Sequence, residues 1–334
     1  MLLSVIIVNY HSESDIIRCL RSTSQYESFE KIQWIIVEND SDAAGKELIM
    51  LEFPNVKWID MGYNAGFARA NNEGIRQSAG EIVLLLNPDT IILDDAIYKC
   101  FQKFVMSNYV ACSVQLLNPD YTPQITGNFV ITGALNHLLP LPYLGKLLRS
   151  IAFSINVKTS NVTKSASEEK VDWINGAFLM VKKEKIKTAG LMDEDFFLYS
   201  EETEWCSRLK KEGELCVFGN LSVIHIQGET INKATGNFEK GYFNLYDRKG
   251  LQIIVSHMVR IRKELGIGWF LVHLMIYSFD LPVFLICSIL ENIFRLRNPF
   301  SEWKLIKGFA YNLLITWRLF FTILSNRPFF YKMI

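Results

Sequence analysis

The sequence predicts an α/β protein whose core is an open, mostly parallel sheet covered on both faces by helices. Three observations lead there. Short, nearly unbroken apolar runs recur at residues 2–8, 34–37 and 82–86, with a weaker one at 56–59. Runs this short, bounded by turn formers, are the pattern of strands buried on both faces. Stretches of helical length separate them, and alternation of strand and helix implies parallel pairing through right-handed crossovers. The runs also stop on polar residues: Asn9-Tyr10-His11, then Glu38-Asn39-Asp40-Ser41, then Asn87-Pro88-Asp89-Thr90. Polar groups at successive strand ends line one rim of an open sheet, where such sheets bind ligands.

Taken in order, residues 2–8 read as a strand rather than a signal peptide, since no charged leader region precedes them. Ser12 or Ser14 caps a helix whose apolar face is Ile16, Ile17 and Leu20. The strand at 34–37 is followed by a helix over about 45–51, and the strand at 56–59 by a glycine turn. That turn, Gly62-Tyr63-Asn64-Ala65-Gly66, runs into a helix reaching Ile75. Its spacing fits neither GxGxxG nor GxxxxGK[ST], which disfavours nicotinamide and P-loop chemistry without excluding a nucleotide. The run at 82–86 then delivers Asp89 to the rim, an oxygen ligand of the kind a hard cation wants beside a phosphate-bearing substrate. Taken alone, Asn-Pro-Asp-Thr is explained as well by a turn and a helix cap. A helix over about 94–107 follows.

Residues 128–155 are apolar with a few bases (Lys146, Arg149), suited to an acceptor-side flap or a lipid-facing surface, and 158–170 form a polar loop. In residues 171–181, Gly176 lets the backbone approach a neighbour closely. Residues 193–209 are acidic at the start and basic at the end. Ser200 as N-cap, Glu201, Glu202 and Glu204 in the first turn and Arg208 in the last suit a helix dipole. Carboxylates there keep their charged form, which favours a base over an acid. Phe196-Phe197-Leu198-Tyr199 sets that helix start among apolar groups, which the dipole does not explain. His225, flanked by Val223, Ile224 and Ile226, is either a structural strand histidine or a neutral metal ligand.

At 334 residues the chain has room for one large domain with an appendage, or two domains. Basic and acidic residues balance at 35 each, and no basic tract interleaves with aromatics, so nucleic acid is not an expected partner. Six scattered cysteines lack CxxC spacing and read as buried free thiols of a reducing compartment. A mean hydropathy of +0.13 is high, and the excess gathers after residue 265. Residues 267–290 contain Asp280 alone as a charged group and are long enough to span a bilayer. The Asp280–Pro282 break predicts two shorter interfacial helices or a shallow hairpin. Basic flanks on both sides give no orientation. Beyond them, Lys304, Lys307, Tyr311, Arg318, Thr322 and Ser325 line up opposite Leu305, Ile306, Phe309, Leu313, Phe320 and Ile323. That stripe predicts an amphipathic helix on anionic lipid; packing on the catalytic core or in a dimer is the alternative.

In sequence order these segments resemble the family 2 glycosyltransferases of GT-A fold, in particular the rhamnosyltransferase-like branch. The matching segments are residues 4–12, Val37-Glu38-Asn39-Asp40-Ser41, the NxGFAxAxNxGI-like stretch with Asn64, Gly66, Phe67 and Asn71, and Leu86-Asn87-Pro88-Asp89-Thr90, a version of the DxD metal site. Residues 173–180, 199–208 and His225-Ile226-Gln227-Gly228 complete the set. The resemblance covers about three quarters of the chain. It implies a catalytic domain over 1–255, with a nucleotide-sugar half to about 125 and an acceptor half after it, and a helical membrane-associating region over 256–334. It further implies transfer of a sugar, rhamnose from dTDP-rhamnose being favoured, with inversion, from a nucleotide diphosphate sugar to a lipid-linked saccharide. The setting would be surface polysaccharide synthesis at the cytoplasmic face of the cell membrane.

By the same resemblance, Glu202 takes the acceptor's proton, with Glu201 orienting or sharing the site. Asp89 and His225 hold a magnesium or manganese ion. Asn9, Tyr10, Glu38, Asn39, Asn64, Gly66, Phe67, Arg69, Asn71, Asn87, Asp89 and Arg248 lie on the donor side; Trp173, Asn175, Gly176 and Glu204 lie on the acceptor side. Two residues depart from the family pattern: Glu202 and Glu38 stand where Asp is usual, which leaves the base between Glu201 and Glu202. A homodimer is compatible with this reading. The alternatives are a UDP-hexose-dependent transferase of the same fold and a non-catalytic GT-A scaffold or sugar-binding module. A nucleotidyltransferase is a weaker option, because residues 9–12 offer no phosphate loop.

Overall fold

The computed structural model describes residues 2–40, 43–129, 134–154, 161–162, 164–165, 167–226 and 244–334. Ser41, Gln227, Gly228 and most of the expected loop at 158–170 that precedes Ser167 lie outside the described residues. The apolar runs form β1 (Leu3–Asn9), β2 (Ile32–Glu38), β3 (Lys57–Asp60) and β4 (Ile82–Leu86), with α1 (Glu13–Ser24), α2 (Ala43–Glu52) and α3 (Gly66–Gln77) between them. All three pairings among these strands are parallel, in the order β3-β2-β1-β4.

Their continuous hydrophobicity has a direct cause. Alternate residues enter two different cores: Val5, Ile7, Trp34, Ile36 and Leu84 pack with Ile16, Leu20 and Ile49 of α1 and α2. Ile6, Ile35, Val37, Val83 and Leu85 pack on the other face with Ala68 and Ile75 of α3. Burying each such side chain contributes about 1.5–3 kcal/mol, which fixes the strand register. The approach of α3 to the sheet requires Gly74, since a Cβ there would lie 2.5 Å from Ile6 Cγ2.

Beyond β4 the sheet becomes mixed. A short strand not anticipated from the sequence, β5 (Thr90–Ile92), follows the Asn-Pro-Asp turn. Then come α4 (Ala96–Val105), β6 (Ala111–Leu117) and β7 (Gly127–Asn128). After α5 (Pro142–Ser154), in a separate unit, come β8 (Asn161–Val162), β9 (Glu168–Val171), β10 (Trp173–Ile174) and β11 (Phe178–Lys182). The fold continues through α6 (Lys183–Ala189), α7 (Glu201–Leu209) and β12 (Leu215–His225). β11 inserts antiparallel between β4 and β6, while β12 runs parallel to β6 and takes β5 and β9 antiparallel on its other edge. β7, β8 and β10 form a second, three-stranded sheet.

The chain divides into two compact units. The first comprises Met1–Val130, Ser160–Glu194 and Glu201–Ala234, and holds both sheets; the second comprises Ile131–Thr159, Asp195–Ser200 and Thr235–Ile334. The sequence drew its boundary at 255, whereas the observed second unit also recruits the apolar stretch containing α5 and the six residues before α7.

Within the second unit, α8 (Arg248–Glu264) is capped by Asp247, whose Oδ1 accepts from Gly250 N at 2.8 Å. The expected break at Asp280–Pro282 does not occur, because residues 267–290 belong to one 28-residue helix, α9 (Ile267–Phe294). Proline removes one helical hydrogen bond, and packing of this helix within its unit outweighs that loss. α9 differs from a water-soluble helix in its outer face. His273, Asp280, Ser288 and Asn292 face inward with Phe270, Leu274, Tyr277 and Phe284, while Met275, Phe279, Ile286, Leu290 and Phe294 face outward, Phe279 being 70% exposed.

The stripe at 304–325 also differs from expectation. It is two helices, α10 (Trp303–Arg318) and α11 (Phe320–Ser325), meeting at Leu319. Ile306, Phe309, Leu313 and Ile323 are buried within the unit, so protein covers the face the sequence assigned to lipid. Lys304, Lys307 and Arg318 do face outward, beside Trp303, Leu314 and Trp317.

Candidate active site

The polar strand ends gather on one rim of the first unit, though several are tied to one another. Asn9 Nδ2 donates to Glu38 Oε2 at 2.8 Å and lies 3.0 Å from Glu13 Oε1, while its Oδ1 accepts from Ser12 N. Asn9 therefore orients Glu38, its register partner on β2. Asn39 Oδ1 accepts from Ala65 N at 2.7 Å, and Asn39 Nδ2 donates to Asn64 Oδ1, which itself accepts from Gly66 N. This clasp joins the β2 turn to the start of α3. Asn71 Nδ2 binds Phe67 O inside α3, a helix-internal role. Tyr10 is half-buried with its ring 4.6 Å from that of His11. Arg69 Nε donates to Glu194 O at 3.0 Å. Arg248, exposed at the start of α8, belongs to the second unit.

Asp89 and His225, read from segments more than a hundred residues apart, are brought together. β5 pairs with β12 so that Thr90 faces His225, and Ile226 N donates to Asp89 O at 3.0 Å. His225 Nε2 lies 3.4 Å from Asp89 Oδ1 and 3.4 Å from Asn87 Nδ2, and both Asp89 and His225 are buried. Burial pushes the Asp89 carboxyl up, but the hydrogen bond and charge of His225 outweigh it and hold the group below the ordinary carboxylate value.

Gln124 sets the histidine tautomer. Its Nε2 donates to His225 O and Asn118 Oδ1, which leaves Oε1 to accept from His225 Nδ1 at 3.0 Å. An imidazole held this way turns Nε2 toward the Asp89 carboxylate. This is the ligand and supporting-partner pattern of a metal-binding histidine. No group of three His, Cys, Asp or Glu side chains around one point occurs among the described residues. A two-ligand site of this kind suits a small hard cation that completes its shell with substrate phosphates and water. No motif marked Gln124; its only local signal is the Thr122-Pro123 turn before it.

The acidic pair sits on the same rim. Asn87 N donates to Ala177 O at 3.0 Å, joining the end of β4 to the segment before β11. The neighbouring Gly176 has no side chain, and a Cβ there would lie 3.6 Å from Glu202 Cβ and 3.6 Å from Phe67 Cζ. Gly176, Phe67 and Glu202, from three distant segments, thus converge beside the strand that carries Asn87. Glu202 is half-buried. Glu201 is 3% exposed, and its Oε2 has no hydrogen-bond partner. Burial and the adjacent Glu202 raise the Glu201 carboxyl well above its ordinary value, against a weaker backbone hydrogen bond.

Glu204 does not join them: both its oxygens are held by Arg208 at 2.7 Å, which makes it a brace of α7. Asn175 closes a turn through its Oδ1 and Ala177 N, and Trp173 is half-buried opposite Asn128 across the β10–β7 pair. Asn72 was missed by sequence reasoning. Its Nδ2 donates to Met192 O and Glu194 Oε1 and its Oδ1 accepts from Met192 N, tying α3 to the chain ahead of the acidic segment. Its place on the inward side of α3, one residue past Asn71, was the available signal.

The chain is similar to several known proteins. A family model described as Glycosyl transferase family 2 matches residues 4–143. The chain is 31% identical over 216 residues to the low-salt glycan biosynthesis hexosyltransferase Agl10 of Haloferax volcanii, covering 63% of this chain and 62% of that protein. It is 25% identical to the rhamnosyltransferase WbbL of Escherichia coli K12, over 63% of this chain and 77% of that one. The chain therefore spans less than two thirds of the length of the first of these relatives. Among solved structures, the mannosyltransferase PcManGT from Pyrobaculum calidifontis, in complex with GDP-Man and Mn2+, superposes with a TM-score of 0.52 at 12% identity. That likeness covers 94% of this chain and 86% of that one, and at such low identity it shows the shared GT-A fold.

Proposed function

We propose that the chain, which matches the family 2 glycosyltransferase model over residues 4–143 and resembles its rhamnosyltransferase-like branch, transfers a sugar, with inversion, from a nucleotide diphosphate sugar to a lipid-linked saccharide at a membrane surface. The observation that carries this reading is the convergence of Gly176, Phe67 and Glu202 on the rim that also bears Asp89 and His225. Rhamnose from dTDP-rhamnose is the favoured donor, on the branch resemblance and the named activity of the 25%-identical relative.

In a single displacement, the acceptor hydroxyl oxygen attacks the anomeric carbon from the face opposite the diphosphate. The carbon–oxygen bond to the diphosphate breaks as the new one forms, and one carboxylate takes the hydroxyl proton. Glu201 is buried and Glu202 half-buried beside the open position at Gly176, and on that ground the step is assigned to Glu202. Asp89 and His225 would hold a magnesium or manganese ion, which supplies positive charge to the departing diphosphate. Asn9 fixes Glu38 on the donor side, and the absent side chain at Gly176 leaves room beside the base.

α9 supports attachment to lipid. It is long and apolar enough to cross a membrane, its polar residues His273, Asp280, Ser288 and Asn292 turn inward among Phe270, Leu274, Tyr277 and Phe284, and its outer face is apolar. Among bilayer-embedded helices, polar groups turn toward the protein interior. The outward bases and tryptophans of α10 suit the headgroup region. A screen of dTDP-rhamnose and UDP-hexoses, with and without Mg2+ or Mn2+, read as nucleoside diphosphate release in the presence of lipid extract, tests the proposal. Metal-dependent release from one donor is expected; no release from any donor would defeat it.

A further inference from the structure

The six residues before α7 are held by a segment from far along the chain. In Asp195, Oδ1 accepts from Phe329 N at 2.9 Å, Oδ2 from Lys263 Nζ at 2.6 Å, and the carbonyl from Tyr331 N at 2.9 Å. Phe196 and Tyr331 pair as an isolated parallel bridge, and the rings of Phe197 and Phe330 meet edge to face at 5.7 Å.

Gln252, fully buried on α8, closes the arrangement. Its Nε2 reaches Tyr331 O and Ser256 Oγ at 3.0 Å, its Oε1 accepts from Met333 N, and Ser256 Oγ donates to Leu198 O at 2.8 Å. All of these groups lie in the second unit. The held segment ends in Tyr199 and Ser200, both left-handed at φ 68° and 71°, and the next residues in the chain are Glu201 and Glu202. Two consecutive non-glycine residues in that conformation are each disfavoured roughly tenfold, and such geometry persists only where surroundings enforce it.

We infer that residues 329–333 act as a strap that sets the entry into α7, with Asp195 as a positioning residue for the Glu201–Glu202 pair. The strap holds Asp195 to Leu198, and this in turn enforces the left-handed pair that fixes where α7 begins. The inference rests on the proposed role of Glu202, and its structural half can be read without any activity.

The test uses the full chain in lipid or detergent. Tyr331→Pro removes the N–H that Tyr331 gives to the Asp195 carbonyl; Asp195→Ala removes the side-chain bonds to Phe329 N and Lys263 Nζ, and Asp195→Asn restores the acceptor for Phe329 N. Amide exchange in residues 196–203 is expected to rise about tenfold or more in the first two variants, with β4 still protected, and to fall back in Asp195→Asn. For donor turnover, kcat should drop about tenfold or more while KM and the affinity for dTDP and UDP stay within twofold. Unchanged exchange at 196–203 in both disruptive variants would overturn the strap. If Tyr331→Pro loses protection in β4 as well, the Asp195→Ala and Asp195→Asn pair decides. Raised exchange with unaltered kcat would overturn the positioning role. Absence of turnover in the unaltered chain would instead count against the enzyme reading, while the exchange result still decides the strap.

Discussion

Gly176→Ala separates site from fold with a single methyl group. The added Cβ would sit 3.6 Å from Glu202 Cβ, 3.7 Å from Glu202 Cγ and 3.6 Å from Phe67 Cζ. These are ordinary van der Waals distances, and the glycine is absent from the positive-φ positions, so the substitution carries neither clash nor backbone strain. Removing glycine's freedom in the unfolded chain stabilises by about 0.4–1 kcal/mol. In a domain of this size that is a rise in Tm of roughly 1–4 °C. The same methyl fills the space beside the Glu202 stem, where, under the proposed role of Glu202, an acceptor hydroxyl reaches the carboxylate. A displacement of about 1 Å at a reacting centre costs on the order of 100-fold. The expectation is therefore a chain that melts at or slightly above the parent temperature, with kcat lowered about 10- to 100-fold and dTDP affinity within twofold. Thermal melting and nucleoside diphosphate release measure the two halves on one preparation. A stable variant with parental kcat would refute the placement of Glu202 at the reaction. A Tm lowered by more than about 5 °C would refute the reading of the space around Gly176. Gly74→Ala is the contrast: with Ile6 Cγ2 at 2.5 Å, it should destabilise the fold by about 1–3 kcal/mol.

Three further expectations follow from the same geometry. Asp89→Ala should abolish metal-stimulated donor turnover while the far-ultraviolet spectrum stays parental, and metal-independent turnover at the parental rate would remove Asp89 as a ligand. For Glu201, the folded carboxyl lies well above its unfolded value, so the group's favourable contribution is intact below the unfolded value and is lost as pH rises through the folded one. Glu201→Gln should accordingly gain stability over the parent at pH 8 and approach it near pH 4, as urea midpoints would show; a pH-independent difference would contradict the upward shift of the buried carboxyl. Replacing Met275 and Phe279 together by Glu, at positions 60% and 70% exposed, should weaken binding to anionic vesicles by roughly 100-fold without unfolding the chain. Undiminished binding would exclude the outward face of α9 from lipid contact.

Three of the sheet's first four strands, β1, β2 and β4, were legible because each is buried on both faces and advertises itself as a nearly continuous apolar run; β3, half-exposed at the edge, gave a weaker signal. The candidate site was legible where a strand end or a helix start imposes its own chemistry, as with Asp89 after β4 and Glu201 and Glu202 at the start of α7. What escaped was non-local. Gln124 orients His225 from a turn with no signature of its own, and Asp195 is secured by a segment more than 130 residues later. The error at Pro282 has a physical source too: proline's local penalty is legible in a sequence, whereas the packing that outweighs it in α9 is not. Likewise the apolar face of α10 has the same periodicity whether lipid or protein covers it.

The antiparallel insertion of β11 bears on how this protein could be recombined. Its residues 178–182 register against 82–86, so the strand that leads to Asp89 owes one of its two neighbours to a segment nearly a hundred residues downstream. Splicing a foreign front section onto this chain at about residue 125 would force a borrowed β4 to zip against a resident β11 with which it never co-evolved. A mismatch there leaves a bare, sticky edge in the middle of the sheet. Chimaeras meant to change sugar preference should therefore carry 178–182 along with the front section, or exchange only the turns that follow the strands.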